Sequence, residues 1–161
     1  MRVPRIAILD NDSFSLGALY TLLTDEGYRI FRCRPRDLTD AHAVVKRAAA
    51  DLVILDRWLA KRADGWLFLK RLCADRDTAH IPAIIAASKP DIPPRTADLR
   101  LAVRYQVMVK PFDANELLAA IEAVLGPSPA ARACDTNVDA VRSFVSSAKA
   151  AVSDPTTVAA R

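Results

Sequence analysis

Three cysteines, Cys33, Cys73 and Cys134, stand far apart in a chain of 161 residues, and this odd, unpaired set gives neither a metal-ligand spacing nor a disulfide framework. The two histidines, His42 and His80, do not cluster either. Glycine is scarce, at 4 against 10 prolines, and no apolar run approaches the roughly 20 residues of a membrane-spanning helix. Met1-Arg2-Val3-Pro4-Arg5 leads straight into a short apolar strand, which is not the pattern of a secretory leader. A reduced, cytoplasmic protein with no membrane partner is the expectation. The net charge of +4 is mild. The densest basic patch, Arg29, Arg32, Arg34 and Arg36, has no recognition-helix or aromatic-stacking pattern beside it, so nucleic acid is not an expected partner. It reads as the charged edge of a sheet.

What is present centres on Asp51-Leu52-Val53-Ile54-Leu55-Asp56. Four apolar residues without polar alternation suit a strand buried on both faces, and a carboxylate at its carboxyl end stands where open α/β sheets bind ligands. Asp56 is therefore a candidate for chemistry, with capping of the next turn as the plainer alternative. Other short apolar runs follow the same plan: Ile6-Ala7-Ile8-Leu9, Tyr28-Arg29-Ile30-Phe31, Ile81 to Ala86, and Val107-Met108-Val109. Helical spacing separates them, at Leu16/Leu19/Leu22/Leu23, over 37–50, after Asp64-Gly65, from Pro93-Pro94 to about Arg104, and from Asp113 to Gly126. Ser13 is the expected cap of the first helix. Five strands alternating with five helices predict a flavodoxin-like (βα)5 fold, a doubly wound parallel sheet of order 2-1-3-4-5. The domain should span 1–126. Residues 127–161 form a linker and tail, with one short helix suggested by Val138, Val141, Val145 and Ala148.

That strand order gathers Asp10, Asn11, Asp12, Asp56, Ser88 and Lys110 at one sheet edge. Clustered carboxylates favour a hard cation, and magnesium takes oxygen ligands. A carboxylate facing such an ion is a nucleophile for phosphoryl transfer, with a lysine to neutralise the moving charge.

Asp10, Asp56, Lys110-Pro111-Phe112, Asp64-Gly65, Ile81-Pro82 and Glu116-Leu117-Leu118, in this order and spacing, resemble the receiver domain of bacterial response regulators over about residues 5 to 126. The resemblance implies that Asp56 is the phosphoacceptor and Lys110 its partner. It also implies a cis bond before Pro111 and a Mg2+ site built from Asp10, the residue at 11, Asp56 and the Trp58 backbone carbonyl. The departures bear on activity. Asn11 stands in place of the family's second acid, with Asp12 one residue late. Ala87 stands in place of the strand 4 hydroxyl, with Ser88 just after it. Val107 stands in place of the switch aromatic, with Tyr105 two residues earlier. The loop after Asp56 is one residue longer than usual, and its Arg57, Lys61 and Arg62 are expected to point to solvent.

The resulting expectation is a stand-alone, non-enzymatic receiver that binds a sensor histidine kinase or another signalling protein. Its Mg2+ is weak and its phosphorylation impaired, and homodimerisation runs through helix 4, strand 5 and helix 5. A fully competent phosphorelay receiver, with Asp10, Asp12 and Lys110 sufficient for magnesium and phosphoryl capture, is the alternative. A third reading, a phosphatase like the haloacid dehalogenases with Asp10-Asn11-Asp12 as its first motif, requires a late acidic strand that the sequence after Lys110 does not supply.

Overall fold

The computed structural model describes residues 2–60, 63–88 and 105–133. In chain order these form β1 (Arg5–Leu9), α1 (Ser13–Asp25), β2 (Arg29–Cys33), α2 (Leu38–Ala48), β3 (Leu52–Asp56), β4 (Trp58–Ala60), β5 (Ala63–Asp64), α3 (Gly65–Ala74), β6 (Ala83–Ala87), β7 (Tyr105–Val109) and α4 (Ala114–Leu125). Five strands pair in parallel in the order β2-β1-β3-β6-β7. This is the anticipated 2-1-3-4-5 once β4 and β5, a small antiparallel pair, are set aside. The helix expected from Pro93 to Arg104, the tail helix around Val138 to Ala148, and Lys61 and Arg62 lie outside the described residues.

Alternation along the strands divides the core into two layers. Ala7, Leu9, Val53, Leu55, Ala83 and Ile85 face α2 and α3, where Val45, Phe68, Leu69 and Leu72 cover them. Ile6, Ile8, Leu52, Ile54, Ile84 and Met108 face α1 and α4, under Leu16, Leu23, Leu117 and Ile121. Each of α1 to α4 starts on an aspartate whose carboxylate takes main-chain N–H groups of the first turn: Asp12, Asp37, Asp64 and Asp113. At α1 this corrects the expected Ser13 cap. One Asp12 oxygen accepts from Phe14 N at 3.2 Å, and the other from Ser15 N at 3.1 Å and Ser15 Oγ at 2.8 Å. A serine hydroxyl has one oxygen for the same donors.

The arginine patch lies on and just beyond the edge strand β2, all four residues exposed. The side chains diverge: Arg32 lies over the Tyr20 ring at 4.6 Å and Arg34 reaches Ser13 Oγ at 3.0 Å, whereas Arg36 turns to Asp40 on α2 at 3.6 Å. After Gly126 the chain closes back on the end of α1. Buried Ser128 donates its hydroxyl to Glu26 Oε2 at 2.8 Å, and Ala130 N donates to Glu26 O at 3.1 Å. Residues 129–133 form a short helix there.

Candidate functional site

β1 and β3 are neighbours and β7 lies beyond β6, and the carboxyl ends of β1, β3 and β7 deliver Asp10, Asp56 and Lys110 to one cleft, which Ser88 also lines. The Lys110 ammonium contacts Asp56 Oδ2 and lies 3.8 Å from Asp10 Oδ2. Asp56 Oδ1 accepts from Trp58 N at 2.7 Å, and Asp10 Oδ1 from Asp12 N at 2.8 Å. Lys110 is itself positioned by its main chain, which donates to Ala87 O at 2.7 Å, and the Lys110–Pro111 bond is cis.

Asp10 is buried, and burial pushes its carboxyl above the usual carboxylate range against the opposing pull of the Asp12 N–H and Lys110. Its ionised form is thus disfavoured in the folded chain relative to the unfolded one. The cost is absent below the ordinary carboxylate value, grows as pH rises through the raised folded value, and persists at neutrality. Asp10→Asn, which keeps an acceptor for Asp12 N–H, is therefore expected to stabilise the protein at pH 7. A rise in Tm at pH 7 is expected, and it should shrink when the scan is repeated near pH 3.

Other candidate residues go elsewhere. Asp12 is exposed and its carboxylate is held by the α1 cap; the Ser15 hydroxyl and the first-turn N–H groups keep it below the usual carboxylate range. Asn11 is exposed beside it, and its side chain makes no hydrogen bond among the described residues. Ala87 continues the alternation of Ala83 and Ile85 toward the α2–α3 face, so the hydroxyl facing the cleft is that of Ser88. Val107 packs in the α2–α3 layer, and Tyr105 sets its ring edge-on to buried Trp66, 5.6 Å between centroids.

The loop after Asp56 also departs from expectation. Arg57 does not point to solvent: it is buried, pairs with Asp64 across the β4–β5 hairpin, and lays its guanidinium over the Trp58 ring at 4.3 Å. Its charge is tolerable there because Asp64 supplies the opposite one at close range. The Trp58 ring, 60% exposed, rests against Arg57 and is not among the residues lining the cleft. The hairpin closes tightly on the site, since a Cβ at Gly65 would stand 3.0 Å from Asp56 O and 3.2 Å from Arg57 O. Asp64 was legible as part of a motif, but its pairing with Arg57 depends on the hairpin.

The described residues contain no cluster of three His, Cys, Asp or Glu disposed around a metal. The two carboxylates that Lys110 contacts or approaches, Asp10 and Asp56, are oxygen ligands of the kind Mg2+ takes, with one negative charge fewer than a three-acid site.

A doubly wound sheet with two carboxylates and a lysine gathered at its carboxyl edge defines a domain of the receiver class. The response regulator receiver domain matches residues 6–122, and the chain belongs to that family. It is 31% identical over 118 residues to the two-component response regulator-like APRR1 of Arabidopsis thaliana, covering 71% of this chain and 18% of that protein. It is 28% identical over 120 residues to the phosphate regulon transcriptional regulatory protein PhoB of Pseudomonas aeruginosa, covering 74% of this chain and 51% of PhoB. The chain thus spans a fifth to a half of these relatives' length. In fold it is similar to the receiver domain of the sensor histidine kinase PA1611 of P. aeruginosa, solved with magnesium in its active-site cleft. The TM-score is 0.64 at 17% identity, over 78% of this chain and 99% of that one. No helix among the described residues is long and apolar enough to cross a membrane.

Proposed function

We propose that this two-component receiver works chiefly as a protein-interaction module, with Asp56 retained as a phosphoacceptor of impaired capacity. The observation that carries the reading is the fate of Asp12. Its carboxylate is occupied by the α1 cap, so it does not take over the charge that Asn11 lacks. The nucleophile itself is intact, with Lys110 on Asp56 Oδ2 and Asp10 beside it.

Asp56 would attack the phosphorus of a phosphodonor, forming an acyl phosphate as the donor's P–O or P–N bond breaks and the leaving group departs. Lys110 would hold the charge on the phosphoryl oxygens. Mg2+, when bound, supplies further neutralisation of those oxygens; Asp10, Asp56, the Asn11 amide oxygen and the Trp58 backbone carbonyl are the groups that would hold it. The magnesium in the active-site cleft of the PA1611 receiver supports Mg2+ binding in general. The close Asp56–Lys110 contact favours the second reading, full phosphorelay competence.

Intact mass after treatment with acetyl phosphate and Mg2+ separates the two. A small, slow phosphoryl adduct that is absent in Asp56→Ala is expected; rapid, quantitative modification establishes the competent reading.

Partner binding supplies the complementary test. The family's relay places, Ala87 and Val107, hold no hydroxyl or aromatic ring here, and Val107 packs on the α2–α3 side of the sheet. A phosphoryl group shifts a binding equilibrium only by its differential interaction with the two states. A partner captured by pull-down, sensor kinase or other signalling protein, should therefore bind wild type, Asp56→Ala and phosphodonor-treated protein within about threefold. A tenfold change, about 1.4 kcal/mol of coupling, would overturn this.

A further inference from the structure

Below the carboxylates the cleft opens into a cavity of about 770 Å³ between α1 and α4. Its walls are apolar, from Ile8, Leu19, Leu22, Ile54, Phe112 and Leu117. Along α1 the lining runs from Phe14 to Leu22, about 12 Å of helix. Phe14, at the cleft end, is 84% exposed. An uncovered apolar surface of this kind marks a place where another element packs.

The chain itself arrives at the other end of this hollow. Ser128 donates its N–H to Glu122 and its hydroxyl to Glu26, Ala130 N donates to Glu26 O, and Arg132 donates to Leu125 O. Residues 128–133 are thus held across the far ends of the same two helices. Glu26 caps α1 only about 6 Å of helix past Leu22, where the cavity lining stops.

The next residues, outside the described ones, carry a matching stripe. Val138, Val141, Val145, Ala148 and Val152 recur at spacings of three and four with Phe144 beside them, and Asp139, Ser143, Ser146 and Ser147 fall on the opposite side of the same helical wheel. As a helix, Val138 to Ala148 would measure about 15 Å, close to the length of the hollow. The chain from residue 133 to residue 138 reaches at most about 17 Å, more than the step to Leu22 requires. A lone helix of this length is marginal in water and depends on burying its apolar side.

We propose that residues 138–152 form a helix that packs its valine stripe into the α1–α4 cavity of the same chain, running from the Ser128 junction toward the cleft. A link this short gives the segment a millimolar effective concentration at the cavity, which favours it over a second copy. Docked there, it covers the Phe14 side of the cleft mouth. The docking does not depend on phosphoryl acceptance at Asp56.

Hydrogen exchange of the full chain, read by mass spectrometry, tests this. Amides 139–148 should exchange at least tenfold more slowly than those of an open chain. Val145→Asp, on the stripe, should abolish that protection and increase the binding of anilinonaphthalene sulfonate, a dye that reports exposed apolar surface. Ser147→Asp adds the same charge on the opposite side and should leave both readings as in wild type. Ala18→Asp, at an exposed position of α1 on the cavity wall, should strip protection from 139–148 while β1 and β3 keep theirs. Absence of protection in wild type, equal effects of Val145→Asp and Ser147→Asp, or protection indifferent to Ala18→Asp would each overturn the proposal. Protection lost on dilution would overturn it too, by marking a second copy as the occupant. Acetyl phosphate modification of Asp56 in the same variants reports on the receiver site separately, so failure of the one does not pass for failure of the other.

Discussion

Asn11→Asp is expected to tighten Mg2+ binding by tenfold or more and to speed modification of Asp56 by acetyl phosphate to a similar degree. Unit charges about 4 Å apart interact by roughly 4 kcal/mol at an effective dielectric near 20, and dehydration offsets much of that. A net gain of about 1.4 kcal/mol is enough for a factor of ten. Asp12 does not already supply this charge, because it is turned into the α1 cap with three donors on its two oxygens. Magnesium titration of wild type, Asn11→Asp and Asp12→Asn gives the answer. Asp12→Asn should barely change affinity, since it acts on the cap. If Asp12→Asn weakens the metal and Asn11→Asp does nothing, Asp12 is the ligand and the proposed weakness of the site falls.

Phe68→Ala is expected to cost about 3–5 kcal/mol, the usual penalty for emptying a buried aromatic position. Phe68 on α3 is fully buried between that helix and the sheet, in the layer with Leu55, Leu59 and Ile85. Against a total stability of roughly 5–15 kcal/mol this is a large fraction, so the urea midpoint should fall steeply at unchanged slope. Leu67, its neighbour in the chain, is half exposed, and Leu67→Ala should stay within about 0.5 kcal/mol of wild type. Equal losses in the two variants would mean that α3 is rotated from the position described.

The sheet order was legible because each buried strand is an unbroken apolar run and each helix a periodic stripe, and parallel strands joined by helices admit few arrangements. The meeting of Asp10, Asp56 and Lys110 followed from it. Three features were not legible, each for its own reason. Asp12 and Ser13 are both good caps, and the choice rests on how many first-turn donors one side chain can reach. The burial of Arg57 depends on Asp64 lying across a hairpin that a three-residue and a two-residue strand give little sign of. The cavity depends on the separation of α1 and α4, which no periodicity encodes.

The junction of Ser128 with Glu26 holds residues 128–133 against the end of α1. α1 begins at the cleft with Asp12 and ends at Glu26, 13 helical residues or about 20 Å away. α4 makes the same passage, from Asp113 at the cleft to Glu122 and Leu125, which accept from Ser128 N and Arg132. Two struts therefore share both their ends, one pair at the carboxylates and the other at the point of tether, with the cavity between them. A substitution that loosens Ser128 therefore acts on the far ends of both helices at once, since Glu26 and Glu122 both bind it.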